Sequence, residues 1–198
     1  ILVDDRVAEM RPKGRQAEHG FAVAVDDDVL LDTGQSGIAA ANADRMGVPT
    51  EYETLILSHG HYDHTGGLPA FLDGAETLFT HPAALETKVS DEGEYIGIPY
   101  RRARLEADVD VVTHREAVEV RPGVYALGEI PRTFPDNPTG EILDADGSRR
   151  ADPLWDDQSV AVETEHGTVL ICGCCHAGLR NTIAHAEAVT DDTVRAVI

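Results

Sequence analysis

Short apolar runs separated by turn residues dominate the chain. Phe21-Ala22-Val23-Ala24-Val25 and Val29-Leu30-Leu31 flank Asp26-Asp27-Asp28, a pattern that predicts a hairpin. Asp32-Thr33-Gly34 ends the second run, and the Ala-rich stretch 37–46 predicts a helix stopped by Gly47 and Pro49. Thr54-Leu55-Ile56-Leu57 reads as a buried strand closed by Ser58, residues 66–72 as a short helix, and Thr77-Leu78-Phe79-Thr80 as another strand. Residues 91–104, rich in Gly, Tyr and Arg, read as a loop. Apolar runs at 109–112, 117–120 and 124–127 predict three consecutive antiparallel strands. Pro131, Pro135, Pro138 and Pro153, set among Asp and Gly, make 131–157 a long loop close to the site, a type that is usually functional or mobile. Strands resume at 159–163 and 168–171, an amphipathic helix follows at 179–189, and 194–198 begins one more strand. The order fits an α/β protein with two packed sheets and helices outside.

A length of 198 residues suggests a single domain over 1–198. No apolar stretch is long enough for a transmembrane helix. Ile1-Leu2-Val3-Asp4-Asp5 lacks a basic leader and a long apolar segment, so no signal peptide is expected, and the missing initiator Met suggests a trimmed start. A hydrophobic fraction of 42% supports a real core and argues against a disordered acidic tail, despite the net charge of −20. That charge repels phosphate backbones, which excludes a nucleic-acid binder with a broad basic patch. Lysine occurs only at Lys13 and Lys88, and Asp is prominent. This balance fits a cytoplasm of high salt, where screening makes self-repulsion tolerable; the alternative is an ordinary acidic mesophilic protein. Cys172, Cys174 and Cys175 crowd together as in a site loop of a reducing compartment rather than a disulfide framework.

The densest chemistry lies at Ser58-His59-Gly60-His61-Tyr62-Asp63-His64-Thr65-Gly66-Gly67, directly after a predicted strand. An extended backbone points His59 and His61 to one side, and Asp63 and His64 follow at a turn. Imidazole and carboxylate are the donors a borderline divalent ion prefers. A second cluster, Cys172-Gly173-Cys174-Cys175-His176, follows another strand and offers His176 as a further ligand. Cys174 is a candidate ligand or a small packing residue. Glu129 is a candidate ligand or a partner of one. His19 either reaches the site or caps a turn, and His81 is a candidate neighbour of the ligands. Asp32 either accepts a hydrogen bond from a metal-bound imidazole or forms a turn. His114, His166 and His185 are expected in solvent. Arg132, with Arg149 and Arg150, is a candidate for binding a phosphate or carboxylate of a substrate, or a surface ion-pair partner.

The run from His59 to His64 resembles the H-x-H-x-D-H signature of the metallo-β-lactamase superfamily. Glu18-His19-Gly20, the segment 31–36, the segment 57–68, His81-Pro82, Gly128-Glu129-Ile130-Pro131-Arg132 and Gly173-Cys174-Cys175-His176-Ala177-Gly178 resemble one subgroup of it, the proteins labelled dihydropterin–ribofuranosylaminobenzene phosphate synthases. The resemblance implies an αβ/βα sandwich with the metal site at one edge, between the sheets. It implies one metal at the first two motif histidines and a second at Asp63 and His64, with a hydroxide between them as nucleophile. The chain departs from the commoner pattern in lacking a Pro-Gly-His loop, and Cys174 stands where a bridging aspartate would be. The subgroup usually continues past the segment like 194–198 into a Gly-Gly-Phe-His stretch, so truncation before a final ligand histidine is expected; the alternative is a short protein using one metal.

Together these features predict a cytoplasmic, metal-dependent hydrolase acting on an ester, phosphoester or related bond of a small molecule, without nucleic-acid or membrane partners. Zn²⁺, as one or two ions, is the expected cofactor, with Mn²⁺ and Fe²⁺ open. Asp63 would orient or deprotonate the nucleophile. A synthase-type transferase and a non-catalytic metal scaffold are the alternatives. The charge itself makes a prediction: with the net charge of −20 unscreened, the melting temperature should fall in dilute buffer and recover in molar KCl. Equal melting temperatures by circular dichroism would remove the high-salt reading.

Overall fold

A computed structural model describes residues 1–7 and 13–198. The elements run β1 (Val23–Val25), β2 (Val29–Leu31), α1 (Ile38–Met46), β3 (Thr54–Ile56), α2 (Tyr62–Thr65), β4 (Thr77–Thr80), β5 (Lys88–Val89), α3 (Arg102–Asp108), β6 (Asp110–Thr113), β7 (Val118–Arg121), β8 (Val124–Ala126), β9 (Glu141–Leu143), β10 (Arg149–Ala151), β11 (Ser159–Thr164), β12 (Gly167–Cys172), α4 (Leu179–Thr190) and β13 (Val194–Val197). They fall into two compact units: 1–57 with 61–79 and 98–112, and 58–60 with 80–97 and 113–198.

The first unit is built on a sheet in the order β1-β2-β3-β4-β6. The predicted hairpin forms, with Val25 opposite Val29 and Asp26 at φ 54 in its turn. β2, β3 and β4 run parallel, with Leu30, Leu55 and Leu78 in one register row and all fully buried. Near-continuous apolar runs are what strands buried on both faces require. α1 buries Ala39, Asn42 and Ala43 and stops at Gly47, whose left-handed φ of 67 suits a residue without Cβ. The helix expected at 66–72 does not form as such. One turn of α-helix, α2, comes earlier, and two 3₁₀ turns follow at Leu68–Ala70 and Leu72–Gly74. Gly66 and Gly67 are pressed against the carbonyls of Gln35 and Thr33, where any Cβ would collide, so packing and not helical periodicity shapes this segment.

The second unit contains a sheet in the order β13-β12-β11-β8-β7 and a small sheet β10-β9-β5. β11 pairs antiparallel with β8 and β12, and β12 pairs parallel with β13. α4 contributes Ala186 to a core of Leu127, Ile130, Ala161, Leu170 and Ala177. Three sequence expectations change. β7 and β8 form an antiparallel pair, but β6 joins the other sheet, beside β4. Residues 131–157 are not all loop, since β9 and β10 form a hairpin closed around Asp144 and Gly147. β10 is exposed throughout and so carries no apolar signal. α3 starts inside the presumed loop 91–104; it buries only Leu105, too little to give a helical stripe. Among the described residues, no helix is long and apolar enough to cross a membrane.

Leu55 sits in the central strand with no solvent contact. Leu55→Ala should cost about 2–5 kcal/mol of stability. Urea unfolding with an unchanged midpoint would contradict this packing.

Candidate metal centre

In the second unit, His59 follows β3 by way of Leu57 and Ser58 and is fully buried. Ser58 Oγ lies 2.9 Å from its Nδ1. The backbone on either side is fastened: Ser58 O accepts from Gln158 N at 2.9 Å, and Gly60 N donates to Asp156 Oδ2 at 2.8 Å. Gly60 has no room for a Cβ against the Ala84 carbonyl. His176 lies in the turn after β12, where Cys175 at φ 57 and Gly178 at φ 86 reverse the chain into α4. His176 Nδ1 donates to Asn137 O at 3.2 Å, which leaves the lone pair on Nε2. The rings of His59 and His176 stand edge to face at 5.3 Å. Cys174 completes the group: one donor atom from each of His59, Cys174 and His176 lies within 4.8 Å of the others. Two imidazoles and a thiol are a donor set that fits a borderline ion such as Zn²⁺. Burial lowers the pKa of His176, but Cys174 and Asp157 outweigh it and the net shift is upward. Cation binding, which needs the neutral imidazole, would compete with protonation of His176. Beside this group the free Cys172 thiol donates a hydrogen bond to the Cys175 sulfur, which lowers the Cys175 pKa to about 7 and raises that of Cys172.

In the first unit, His61 opens α2 from an extended backbone, and its carbonyl accepts from Thr65 Oγ1 at 2.8 Å. Asp63 and His64 lie within α2 and are buried. His64 Nδ1 donates to Asp32 Oδ2 at 2.6 Å, and Asp32 is itself fully buried at a left-handed φ of 55. Nε2 of His64 lies 3.4 Å from Asp63 Oδ2. His19 bridges Asp5 at 3.2 Å and Asp63 at 3.5 Å from an exposed position. Gly20 makes this possible, because a Cβ there would collide with the Asp63 carbonyl.

The sequence from residue 20 to 181 matches the Metallo-beta-lactamase superfamily. The chain belongs to that family. Its fold matches that of Tm1679, a metal-dependent hydrolase of the beta-lactamase superfamily, with a TM-score of 0.82 and 31% identity over 99% of this chain and 73% of Tm1679. A Bacillus thuringiensis AiiA variant with N-decanoyl-L-homoserine bound shares the fold at 18% identity and a TM-score of 0.50, over 89% of this chain and 78% of its own. The 7,8-dihydropterin-6-methyl-4-(beta-D-ribofuranosyl)-aminobenzene-5'-phosphate synthase of Methanocaldococcus jannaschii is 28% identical over 66% of this chain and 49% of the synthase. The chain thus spans about half the length of that curated relative.

The other residues singled out have partners of their own. Glu129 accepts from Arg115 at 3.0 Å and lies 3.3 Å from His81 Nε2. His81 is fully buried, accepts from Ala83 N, and has its pKa lowered, first by burial. Arg132 is engaged by Asp136 at 2.6 Å, by the Leu154 carbonyl and by the Trp155 ring. Its guanidinium braces the loop, as an ion-pair partner. Arg149 pairs with Glu141, and Arg150 with Glu86 and Asp144. Two histidines expected in solvent are not there. His114 is buried against the Glu116 carbonyl, with its pKa lowered chiefly by burial, and His185 Nε2 bonds the Leu127 carbonyl. His166 is exposed, as expected.

Sequence reasoning missed the polar residues that hold these turns. Lys88 is buried between Asp152 and Asp156, Gln158 Oε1 accepts from Gly128 N, and Asn181 bonds both Phe134 and Ala177. One signal was present: the polar run Asp156-Asp157-Gln158-Ser159 leads into the apolar strand β11, with Ser159 as its first residue. All four residues are buried.

Proposed function

We propose that this chain is a metal-dependent hydrolase of an ester, phosphoester or related bond in a small molecule, working in a high-salt cytoplasm. The observation that carries the reading is the convergence of His59, Cys174 and His176. The 31% identity with Tm1679 supports it. When bound, a divalent ion would lower the pKa of a water and polarise the scissile bond. His59 and His176 would hold that ion through Nε2, with Cys174 as a thiolate. His61, the second histidine of the family's motif, would be a further ligand, and Asp63 and His64 complete that motif. Asp63 would orient the nucleophile or accept its proton, and Asp32 would keep His64 in the tautomer whose Nε2 can ligate. Fold and donor set leave the substrate open, and β-lactam hydrolysis does not follow from them. The likeness to the methanogen synthase favours a second reading, a transferase joining a phosphoribosyl donor to an aminobenzoate-type or pterin partner.

Purified chain should bind a divalent ion and, once loaded, hydrolyse a member of an ester, lactone and phosphoester panel. His61→Ala and His59→Ala should release most of the ion and lower turnover by more than the roughly 10- to 100-fold that loss of an outer partner costs. With Co²⁺, a thiolate charge-transfer band should appear and vanish in Cys174→Ser. Full occupancy and unchanged turnover in His61→Ala would refute its ligand role. Bound metal without turnover on the panel, with product only from the synthase substrates, would favour the second reading. No turnover on either would leave a metal-binding scaffold.

A further inference from the structure

Asp156 and Asp157 stand side by side in the chain before β11, and both are buried. They serve different turns. Asp156 Oδ2 accepts the N–H of Gly60, the residue after His59, at 2.8 Å. Asp157 Oδ2 accepts the N–H of Ala177, the residue after His176, also at 2.8 Å. One dipeptide therefore ties down both histidine-bearing turns, each at the peptide that follows the imidazole. On the other flank of His59, the neighbouring Gln158 N donates to Ser58 O. The Gly60 turn cannot relax toward residue 84, because the glycine already abuts the Ala84 carbonyl.

Buried carboxylates are costly unless they are bonded and balanced. Lys88 supplies the balance for Asp156: its Nζ lies 2.9 Å from Asp156 Oδ1 and 2.5 Å from Asp152 Oδ2, with 1% of its surface exposed. A chain that uses arginine for nearly all its cations keeps one of its two lysines here. A compact ammonium can serve two carboxylates in a space where a planar guanidinium demands more room.

We infer that Asp156 and Asp157 are positioning residues that fix the separation of His59 and His176, and thereby set the chain's affinity for a divalent ion. The inference rests on the reading of those histidines as ligands. A purely structural role would alter stability and leave affinity alone.

The test is Co²⁺ affinity of the full chain, measured by competition with a chelator, alongside thermal melting. Asp157→Leu removes the acceptor for Ala177 N–H and should weaken Co²⁺ binding about 10- to 100-fold. Asp157→Asn keeps an acceptor and should stay within about threefold of the parent, as a rescue by the conservative change. His59→Ala is the control. If it loses Co²⁺ while Asp157→Leu binds like the parent, the positioning inference fails and the ligand reading stands. If His59→Ala binds like the parent, the ligand reading fails and takes this inference with it. Should Asp157→Leu not fold, hydrogen exchange of the metal-free parent decides. Slow exchange at Gly60 and Ala177 is expected, and exchange at the rate of an unstructured peptide at either would overturn the inference.

Discussion

An ion held by side chains needs its ligands fixed before it arrives. In the second unit the turns that bear His59 and His176 are fixed by backbone amides bonded to buried carboxylates. The amides of Gly60 and Ala177 lie where water does not reach them easily, and a buried amide must find an acceptor. Both acceptors come from Asp156 and Asp157. The positions of His59 and His176 then follow from the covalent chain, one residue back in each case. The small sheet matters for the same reason: β5 carries Lys88, without which Asp156 and Asp152 would be uncompensated buried charges.

In the first unit close approach does comparable work. Gly20, Gly66 and Gly67 let the turn that bears Asp63 and His64 lie directly on neighbouring backbone. At that distance Asp32 reaches His64 Nδ1 and sets its tautomer. The left-handed backbone of Asp32 is a local strain that a residue with a hydrogen-bonding carboxylate tolerates better than most. The local geometry thus costs conformational freedom, and the chain spends glycine and aspartate to meet it.

Charge has two separate lives in this protein. Outside, the excess of acidic residues acts through long-range repulsion and depends on salt. Inside, individual carboxylates at Asp32, Asp152, Asp156 and Asp157 each have a named partner and are little screened. Family membership bears on the fold that carries these carboxylates. It says little about the substrate, which depends on the surfaces around the site.

The sequence alone was enough for strands β1 to β4, α1 and α4, because each buries apolar side chains, as a short continuous run in the strands and as a stripe in the helices. It also singled out His59, His61, Asp63, His64 and His176, because few other arrangements place so many ligand types at strand ends. It could not show β10 or α3, which bury almost nothing, or the departure of β6 to another sheet, which depends on distant partners. The grouping of Cys174 with His59 and His176, the pairing of Asp32 with His64, and the buried triad of Lys88, Asp152 and Asp156 appeared only in three dimensions. Periodicity records which side of an element faces the core. A polar contact between residues 96 apart, such as Gly60 with Asp156, leaves no period, because it is fixed by where two turns meet.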